Sequence, residues 1–171
     1  MTKKRMEDWV YFENLPAALE KREKKYGDKT ALSIANGISY SYNEINALVN
    51  DFATKLYGAG LERNQRVALI SENNPHWVVS YFGIQKAGGI VTPVLTDFTA
   101  GEMTSILKHA EAEMVVISSK QMHKFPGGFP ESVKYIITIE DLVIHEDNKA
   151  GDLKKLSKDA YEKQQPAVKA R

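Results

Sequence analysis

Short apolar runs alternate with amphipathic segments through most of this chain, and this alternation restricts the fold more than any other feature. Four runs have the length of a strand: RVALIS (66–71), IVTPVL (90–95), MVVIS (114–118) and VKYIITI (133–139). Strands that alternate with helices pair in parallel through right-handed crossovers. The sequence therefore predicts an α/β fold, a layered and mostly parallel sheet flanked by helices, with IVTPVL as a central strand.

Two capping boxes mark helix starts. Ser41 with Glu44, and Thr99 with Glu102, have the three-residue spacing at which the two side chains satisfy each other's backbone N–H groups. Apolar residues recur at helical intervals after each box. We predict a long helix that ends near Tyr57 and a shorter one that starts at Thr99.

A third helix start stands at Asn74 and Pro75, a capping residue followed by a proline suited to the first helical turn. The segment 76–87 after it is apolar on most sides. We predict a largely buried helix in which Gly83 admits a close neighbour.

The N-terminal region predicts a helix and a small hairpin. Apolar spacing over 16–26, with Gly27 behind it, is typical of a helix and its end. The runs 29–35 and 38–40 predict two strands, joined by a two-residue turn at Asn36 and Gly37.

Composition excludes several functions. Of 171 residues 43% are hydrophobic and 26% charged, the balance of one soluble domain. The formal charge of +1 predicts neither a nucleic acid nor an anionic membrane as partner. The absence of cysteine excludes disulfides and thiolate catalysis. Neither a signal peptide nor the roughly 20 apolar residues of a membrane span are present, so we expect a cytoplasmic protein with no membrane span.

Gly88 and Gly89 are the first candidate for a phosphate-binding loop. Such a loop needs a strand, then glycines, then a helix N-terminus. Here the order is helix, glycines, strand, and Lys86 lies in the last helical turn, where a cation is favoured. We interpret the pair as a helix end.

Two strand ends offer weaker candidates. The segment 94–98 leads into the Thr99 cap at an edge where ligands often bind, but it contains no glycine, so we interpret it as an ordinary turn that could form the rim of a pocket. Ser118, Ser119 and Lys120 supply hydroxyls and a cation after MVVIS, and we interpret them as a polar surface turn.

Other constellations are absent. Histidines 76, 109, 123 and 145 show no i, i+4 pair and no metalloprotease spacing, which argues against a metal site. No G-x-S-x-G elbow is present. Trp77 and Tyr81 could line an apolar ligand site, but their spacing is more typical of core packing. The residues alone thus predict no catalytic, cofactor-binding or metal-binding site.

Taken in order, these segments resemble the N-terminal part of the adenylate-forming synthetases, the superfamily of acyl-CoA synthetases, nonribosomal peptide adenylation domains and luciferases. SYNEIN resembles an early helix start of that superfamily, and IQKAGGIVTPV resembles its second core motif, with ENNPHW between them. The likeness begins near Leu15, continues through YIITIEDL and is strongest to long- and medium-chain fatty-acyl-CoA ligases. Thr92 departs from the aliphatic residue that is common before the proline.

The resemblance implies a partial N-terminal domain, with 1–145 as a truncated subdomain. The polar composition of 146–171 predicts a connector or tail, with one possible short helix over 153–161. In the superfamily a glycine-, serine- and threonine-rich loop with a lysine holds the ATP phosphates soon after such a connector. That loop, the adenine and ribose contacts, the hinge and the adenylation lysine have no counterpart in this sequence. No catalytic, cofactor-binding or metal residue is therefore carried over, and ATP, Mg²⁺ and coenzyme A are implied only for a full-length parent.

The superfamily's reaction joins a carboxylate to ATP, giving an acyl-adenylate, and passes the acyl group to a thiol such as coenzyme A. We expect a fragment of such a ligase, acting on a fatty acid or other carboxylate and inactive alone. The alternative is a stand-alone, non-catalytic binding or interaction module with the same fold. A fragment would expose apolar surface, which predicts self-association or a homo-oligomer.

Overall fold

The computed structural model describes residues 14–35 and 37–146. The connector predicted for 146–171 lies outside them from position 147 onward, as does the helix predicted over 153–161. In chain order the elements are α1 (Leu15–Tyr26), β1 (Thr30–Ser33), β2 (Ser39–Ser41), α2 (Tyr42–Gly58), β3 (Arg66–Ile70), α3 (Pro75–Lys86), β4 (Ile90–Pro93), α4 (Ala100–His109), β5 (Met114–Ile117), a 3₁₀ turn (Met122–Lys124), β6 (Tyr135–Thr138) and β7 (Val143–His145).

The main sheet has five strands in the order β4-β3-β5-β6-β7. Strands β4, β3, β5 and β6 run parallel, and β7 pairs antiparallel with β6. The strands β1 and β2 form a separate antiparallel hairpin. The predicted class, a mostly parallel sheet flanked by helices with a small N-terminal hairpin, is confirmed, and the sheet contains all four predicted strands.

The helices begin where the capping signals place them. Glu44 Oε2 accepts a hydrogen bond from the Ser41 backbone N–H (2.7 Å), and Ser41 Oγ accepts one from the Glu44 N–H (3.2 Å). The same reciprocal pair joins Thr99 and Glu102. Asn74 Oδ1 accepts from the Trp77 N–H at the start of α3. All three predicted helix starts are confirmed, because a cap is decided by residues three positions apart.

The sheet separates two apolar layers, since successive strand residues point to opposite faces. Val67 and Leu69 pack with α1, α2 and α3 on one face, while Ala68 and Ile70 pack with α4 and the segment after β5 on the other. Strands β3, β5 and β6 are almost entirely buried on both faces, as continuous apolar runs predict.

Gly83 permits the closest helix contact. A Cβ atom at Gly83 would lie 2.7 Å from Cδ1 of Phe52, whose side chain is fully buried in α2. Any side chain at position 83 would therefore force α2 and α3 apart or displace the Phe52 ring. The sequence predicted a close neighbour for this glycine, and the structure identifies that neighbour as Phe52.

The prediction that IVTPVL is a central strand was wrong. β4 pairs only with β3 and forms an edge of the described sheet. The N–H groups of Ile90 and Val94 donate to carbonyls on the β3 side, so the alternation along the strand turns the nitrogen of Pro93 away from β3. A proline has no N–H to offer a further strand and is found at such edges.

Two local details also differ from the prediction. The Ile34 N–H donates to the Ile38 carbonyl and Ser33 lies opposite Ser39, so Ile38 pairs with Ile34 and not, as a two-residue turn at 36 and 37 requires, with Ala35; position 36 itself lies outside the described residues. Strand β7 was not predicted. It has three residues and follows a tight turn in which Leu142 adopts a φ of 55°, a conformation that leucine rarely adopts.

Candidate functional site

The carboxyl ends of the parallel strands meet at one edge of the sheet. After β3 the chain crosses to β4 on one side, and after β5 it continues to β6 on the other side. The connections therefore leave β3 and β5 in opposite directions. Ligands of open α/β sheets bind in the crevice outside such a pair of strands, so this edge is the first place to look for a site.

A half-open cleft of about 440 Å³ lies at this edge. The hairpin contributes Ile34, Ile38 and Tyr40 as an apolar wall. The loops after β3, β5 and β6 contribute the polar side chains, among them Glu72, His76, Lys120 and Glu140. A shallower groove of about 470 Å³ adjoins it between the hairpin and the start of α3. An apolar wall with a few converging polar groups is the usual composition of a small-molecule site.

Glu72 links the loop after β3 to the loop after β5. Burial raises the pKa of Glu72, but the hydrogen bond from Gln121 Nε2 (2.7 Å), a bond from its own backbone, the nearby Ser118 hydroxyl and the charge of Lys120 together hold the pKa below the usual glutamate range. Ser118 Oγ is close enough to contribute but forms no hydrogen bond of ordinary length. The carboxylate is thus kept ionised as a fixed part of the cleft wall.

This shift predicts an acid-sensitive contribution to stability. A pKa lower in the folded than in the unfolded state stabilises the fold above the unfolded-state value, and the contribution is lost as the pH falls through the folded-state value. In Glu72→Gln this contribution is absent. We therefore expect the difference in unfolding free energy between wild type and variant, measured by urea denaturation, to shrink as the pH is lowered below the usual glutamate range.

Glu131→Gln is the control for this pH series. Glu131 is exposed and lies outside the cleft, so the variant removes the same charge without removing the bond to Gln121. A difference for Glu72→Gln that stays constant across the acidic range contradicts the assignment.

Glu140 links the loops after β5 and β6 in the same way. Its Oε1 accepts hydrogen bonds from the Ser119 backbone N–H (2.7 Å) and from Ser119 Oγ (2.8 Å). Ser118 and Ser119 are buried, whereas Lys120 is exposed. The interpretation of 118–120 as a polar surface turn therefore applies only to Lys120, because the two serines lie against the ends of neighbouring strands.

The junction 94–98 is held by a lysine from the loop after β5. Lys124 Nζ donates to the carbonyl oxygens of Thr96 and Phe98, the latter at 2.9 Å. The following helix N-terminus is already satisfied by the Thr99–Glu102 capping box. This junction is an ordinary strand-to-helix turn in the described structure, and it does not line the cleft after β3 and β5.

Gly88 and Gly89 end α3 and do not form a phosphate loop. The Gly88 N–H donates to the Gln85 carbonyl and the Gly89 N–H to the Ile84 carbonyl. Gly88 has a φ of 91°, the left-handed conformation typical of a residue after a helix end. Both N–H groups are occupied within the chain, which agrees with the interpretation as a helix end.

The histidines do not come together. His76 Nδ1 is 2.8 Å from the Ile139 carbonyl oxygen. Because a carbonyl oxygen can only accept a hydrogen bond, the protonated Nδ1 of His76 is the donor. His123 Nδ1 makes the same kind of contact with the Lys120 carbonyl (2.7 Å). His109 ends α4 and His145 ends β7. Over 14–35 and 37–146 no group of three histidine, aspartate or glutamate side chains has a metal-binding arrangement.

Trp77 and Tyr81 stack on each other with ring centroids 5.3 Å apart and pack against the apolar layer of α1, α2 and α3. This agrees with the interpretation as core packing, although Trp77 also lines the shallower groove. Within the described part of the chain, no helix combines the length and the apolar character needed to cross a bilayer.

Sequence reasoning did not predict how the loops at this edge are joined: it considered Ser119 only as part of a surface turn and did not single out Glu72, Gln121 or Glu140. Glu72 and Gln121 are 49 positions apart, and Ser119 and Glu140 are 21 apart. Neither pair belongs to a motif with fixed spacing. The only signal in the sequence was that each residue follows a predicted strand of the same parallel sheet, where the carboxyl ends meet.

The comparisons with known proteins agree with this fold. The family model described as AMP-binding enzyme matches residues 19–170. The chain is 39% identical over 101 residues to the 3-[(3aS,4S,7aS)-7a-methyl-1,5-dioxo-octahydro-1H-inden-4-yl]propanoyl:CoA ligase of Mycobacterium tuberculosis, which covers 59% of this chain and 20% of the relative. It is 30% identical over 149 residues to the crotonobetaine/carnitine–CoA ligase of Escherichia coli, covering 84% of this chain and 28% of the relative.

Solved structures show the same architecture. The anthranilate CoA ligase AuaEII, in complex with anthranoyl-AMP, superposes with a TM-score of 0.70 at 22% identity, over 79% of this chain and 26% of that one. A Mycobacterium tuberculosis fatty acyl CoA synthetase superposes with a TM-score of 0.67 at 22% identity, over 72% and 26%. The sequence thus spans between a fifth and somewhat over a quarter of these relatives. The chain belongs to the AMP-binding enzyme family.

Proposed function

We propose that this chain is the N-terminal part of an AMP-forming acyl-CoA ligase that acts on a fatty acid or another carboxylate. In that reaction a carboxylate oxygen attacks the α-phosphorus of ATP and pyrophosphate leaves. The thiol of coenzyme A then loses its proton, attacks the acyl carbon and displaces AMP. The family match over residues 19–170 carries the proposal, and the CoA ligases among the relatives support the choice of acceptor.

The described residues contribute a scaffold and one candidate wall of a binding site. The cleft at the carboxyl edge joins the apolar hairpin residues Ile34, Ile38 and Tyr40 to a polar rim. In this proposal an apolar part of the carboxylate substrate lies against that wall. The relatives are named for chemically different carboxylates, so acyl chain length is left open. The division into a subdomain over 1–145 and a polar connector over 146–171 is part of the same proposal.

The candidate positions among the described residues fit neither a phosphate nor a metal ion. Both candidate N–H groups for a phosphate, those of Gly88 and Gly89, are occupied by helix carbonyls. No arrangement of three possible metal ligands occurs over 14–35 and 37–146. Our proposal is that the sites for ATP, Mg²⁺ and coenzyme A lie outside these residues, and catalysis by positioning and charge stabilisation requires those sites.

The chain alone should accordingly release no pyrophosphate. The measurement is a coupled pyrophosphate assay with the purified 171-residue chain, ATP, Mg²⁺, coenzyme A and a panel of fatty acids and shorter carboxylates. A full-length acyl-CoA ligase of the same family is the positive control. Clear turnover by the chain contradicts the proposed division of labour.

The alternative, a stand-alone binding module, is favoured only by the cleft. Calorimetric titration of the same sample with the same carboxylates and with ATP separates the two. Saturable binding without turnover supports the module. Heat signals equal to dilution, together with an inactive chain, support the scaffold.

A further inference from the structure

The acidic and the basic side chains of helix α1 lie on different sides of the helix. Its acidic residues point towards the neighbouring helices: Glu20 pairs with Lys86 of α3 at 2.5 Å, and Glu23 accepts a hydrogen bond from Asn46 of α2 at 2.7 Å. Asp28, just after the helix, accepts one from Asn43 at 2.9 Å. The carboxylates of this region are therefore engaged by groups of the same domain.

The basic residues lie on the other side. With about 100° of rotation per residue, the four cations of α1 fall within an arc of about 160° that excludes Glu20, Glu23 and the buried Leu19. Lys29 continues this surface after the helix, and four of the five side chains are exposed, the fifth being half-buried. We call this surface the basic face; it consists of Lys21, Arg22, Lys24, Lys25 and Lys29.

Three of these cations converge on one aromatic ring. The charged groups of Arg22, Lys25 and Lys29 lie 5.9, 5.2 and 5.4 Å from the centroid of Tyr26. Lys25 and Lys29 form no salt bridge with a carboxylate among the described residues. Cations gathered around one ring repel each other, and the attraction of each cation to the electrons of the ring compensates for part of that repulsion. This cluster of positive charges is stabilised further when an anionic surface approaches, because the negative charges of that surface offset the remaining repulsion.

We propose that the basic face binds peripherally to an anionic phospholipid bilayer. A cluster of roughly four to eight basic residues on an amphipathic helix is the pattern that recognises acidic lipid headgroups. The basic face has five, spread over a helix surface. A free phosphate ligand is the poorer fit, because small ligands bind in concave sites and the cleft between α1 and the end of α3 includes none of these residues.

The formal charge of +1 hides this feature. The whole-chain charge averages the basic face with acidic residues elsewhere, and therefore predicts no electrostatic preference for a membrane. The attraction to a surface acts within about 10 Å at ordinary ionic strength, so the local distribution decides the binding. The proposal is independent of the ligase function.

The test is co-sedimentation of the full chain with vesicles of phosphatidylcholine that contain a minority of phosphatidylglycerol. We expect binding that is weak, absent on pure phosphatidylcholine and lost as sodium chloride is raised. Lys25→Gln with Lys29→Gln should weaken it about 25-fold, since each basic residue near the surface contributes about fivefold.

The matched control is Lys108→Gln with Lys134→Gln. Both lysines are exposed, lie on α4 and before β6, and line neither the basic face nor the cleft at the carboxyl edge, so this variant has the same net charge and should bind like wild type. Circular dichroism verifies that both variants are folded. The proposal is overturned if both variants weaken vesicle binding equally, or if Lys25→Gln with Lys29→Gln does not weaken it. It is also overturned if NMR shows saturable binding of inorganic phosphate at Lys25 and Lys29, or if an acidic peptide binds more tightly than the vesicles.

Discussion

Phe52→Ala should lower the unfolding free energy of the chain by about 3–5 kcal/mol, the range for deleting a buried aromatic side chain. Phe52 is fully buried, and its ring packs against Gly83 so closely that a Cβ atom at position 83 would lie 2.7 Å from Phe52 Cδ1. The cavity would open between α2 and α3 in the larger apolar layer. Because small domains have a total stability of about 5–15 kcal/mol, urea denaturation should show a large fall in the midpoint.

The same contact predicts a reversal of sign. In the wild type, Gly83→Ala should cost about 1–3 kcal/mol, because the added methyl group overpacks a core that contains a fully buried ring. In the Phe52→Ala background the methyl group enters vacated space, and the higher helix propensity of alanine, about 1 kcal/mol, should make the substitution stabilising.

Gly101→Ala controls for helix propensity. Gly101 lies in α4, and a Cβ there would meet nothing within 4 Å, so alanine should stabilise the chain equally in both backgrounds. Equal effects of Gly83→Ala with and without Phe52 would show that the ring does not fix the spacing of the two helices.

Features decided within a few residues could be predicted from the sequence. The capping boxes at Ser41 and Thr99, and the cap at Asn74, are local hydrogen-bonding patterns, and each predicted helix begins there. The Gly88–Gly89 pair was interpreted correctly for the same reason, since the order of helix, glycine and strand can be read directly.

Features decided by neighbours distant in sequence could not be predicted. An apolar run has the length of a strand whether it lies at the centre or at the edge, so IVTPVL was placed centrally although β4 pairs only with β3. Proline at position 93 was the one available signal for an edge. Strand β7 has only three residues, fewer than the roughly four to eight by which a strand is recognised from sequence, and its pairing depends on the turn at Leu142.

The candidate site was the least predictable part. The cleft requires the hairpin to lie beside the ends of β3, β5 and β6, and neither composition nor periodicity determines that packing. The bonds from Gln121 to Glu72 and from Ser119 to Glu140 are likewise long-range. The basic face was missed for a different reason, because net charge discards the direction in which each side chain points.

Glu140→Ala should cost about 1–3 kcal/mol, the usual penalty for leaving a buried polar group without its partner. The substitution removes the acceptor of two hydrogen bonds, from the Ser119 N–H and Oγ, while Ser119 remains 8% exposed. Since these bonds join the loops after β5 and β6, the loss should also be local: the Ser119 amide should exchange its hydrogen faster, measured by NMR. Urea denaturation gives the global cost.

Glu140→Gln and Glu131→Ala separate the hydrogen bonds from the charge. Glutamine keeps an acceptor oxygen for Ser119 but loses the carboxylate charge, and hydrogen bonds to an ionised acceptor are roughly twice as strong as neutral ones, so its cost should lie between those of wild type and alanine. Glu131 is exposed on the preceding loop, and its removal should change stability by no more than about 0.5 kcal/mol. If Glu140→Ala and Glu140→Gln lower the unfolding free energy equally, the carboxylate charge, and not the acceptor oxygen alone, stabilises this edge. If Glu131→Ala lowers it as much as Glu140→Ala, neither the bonds to Ser119 nor their position between the strand ends accounts for the effect.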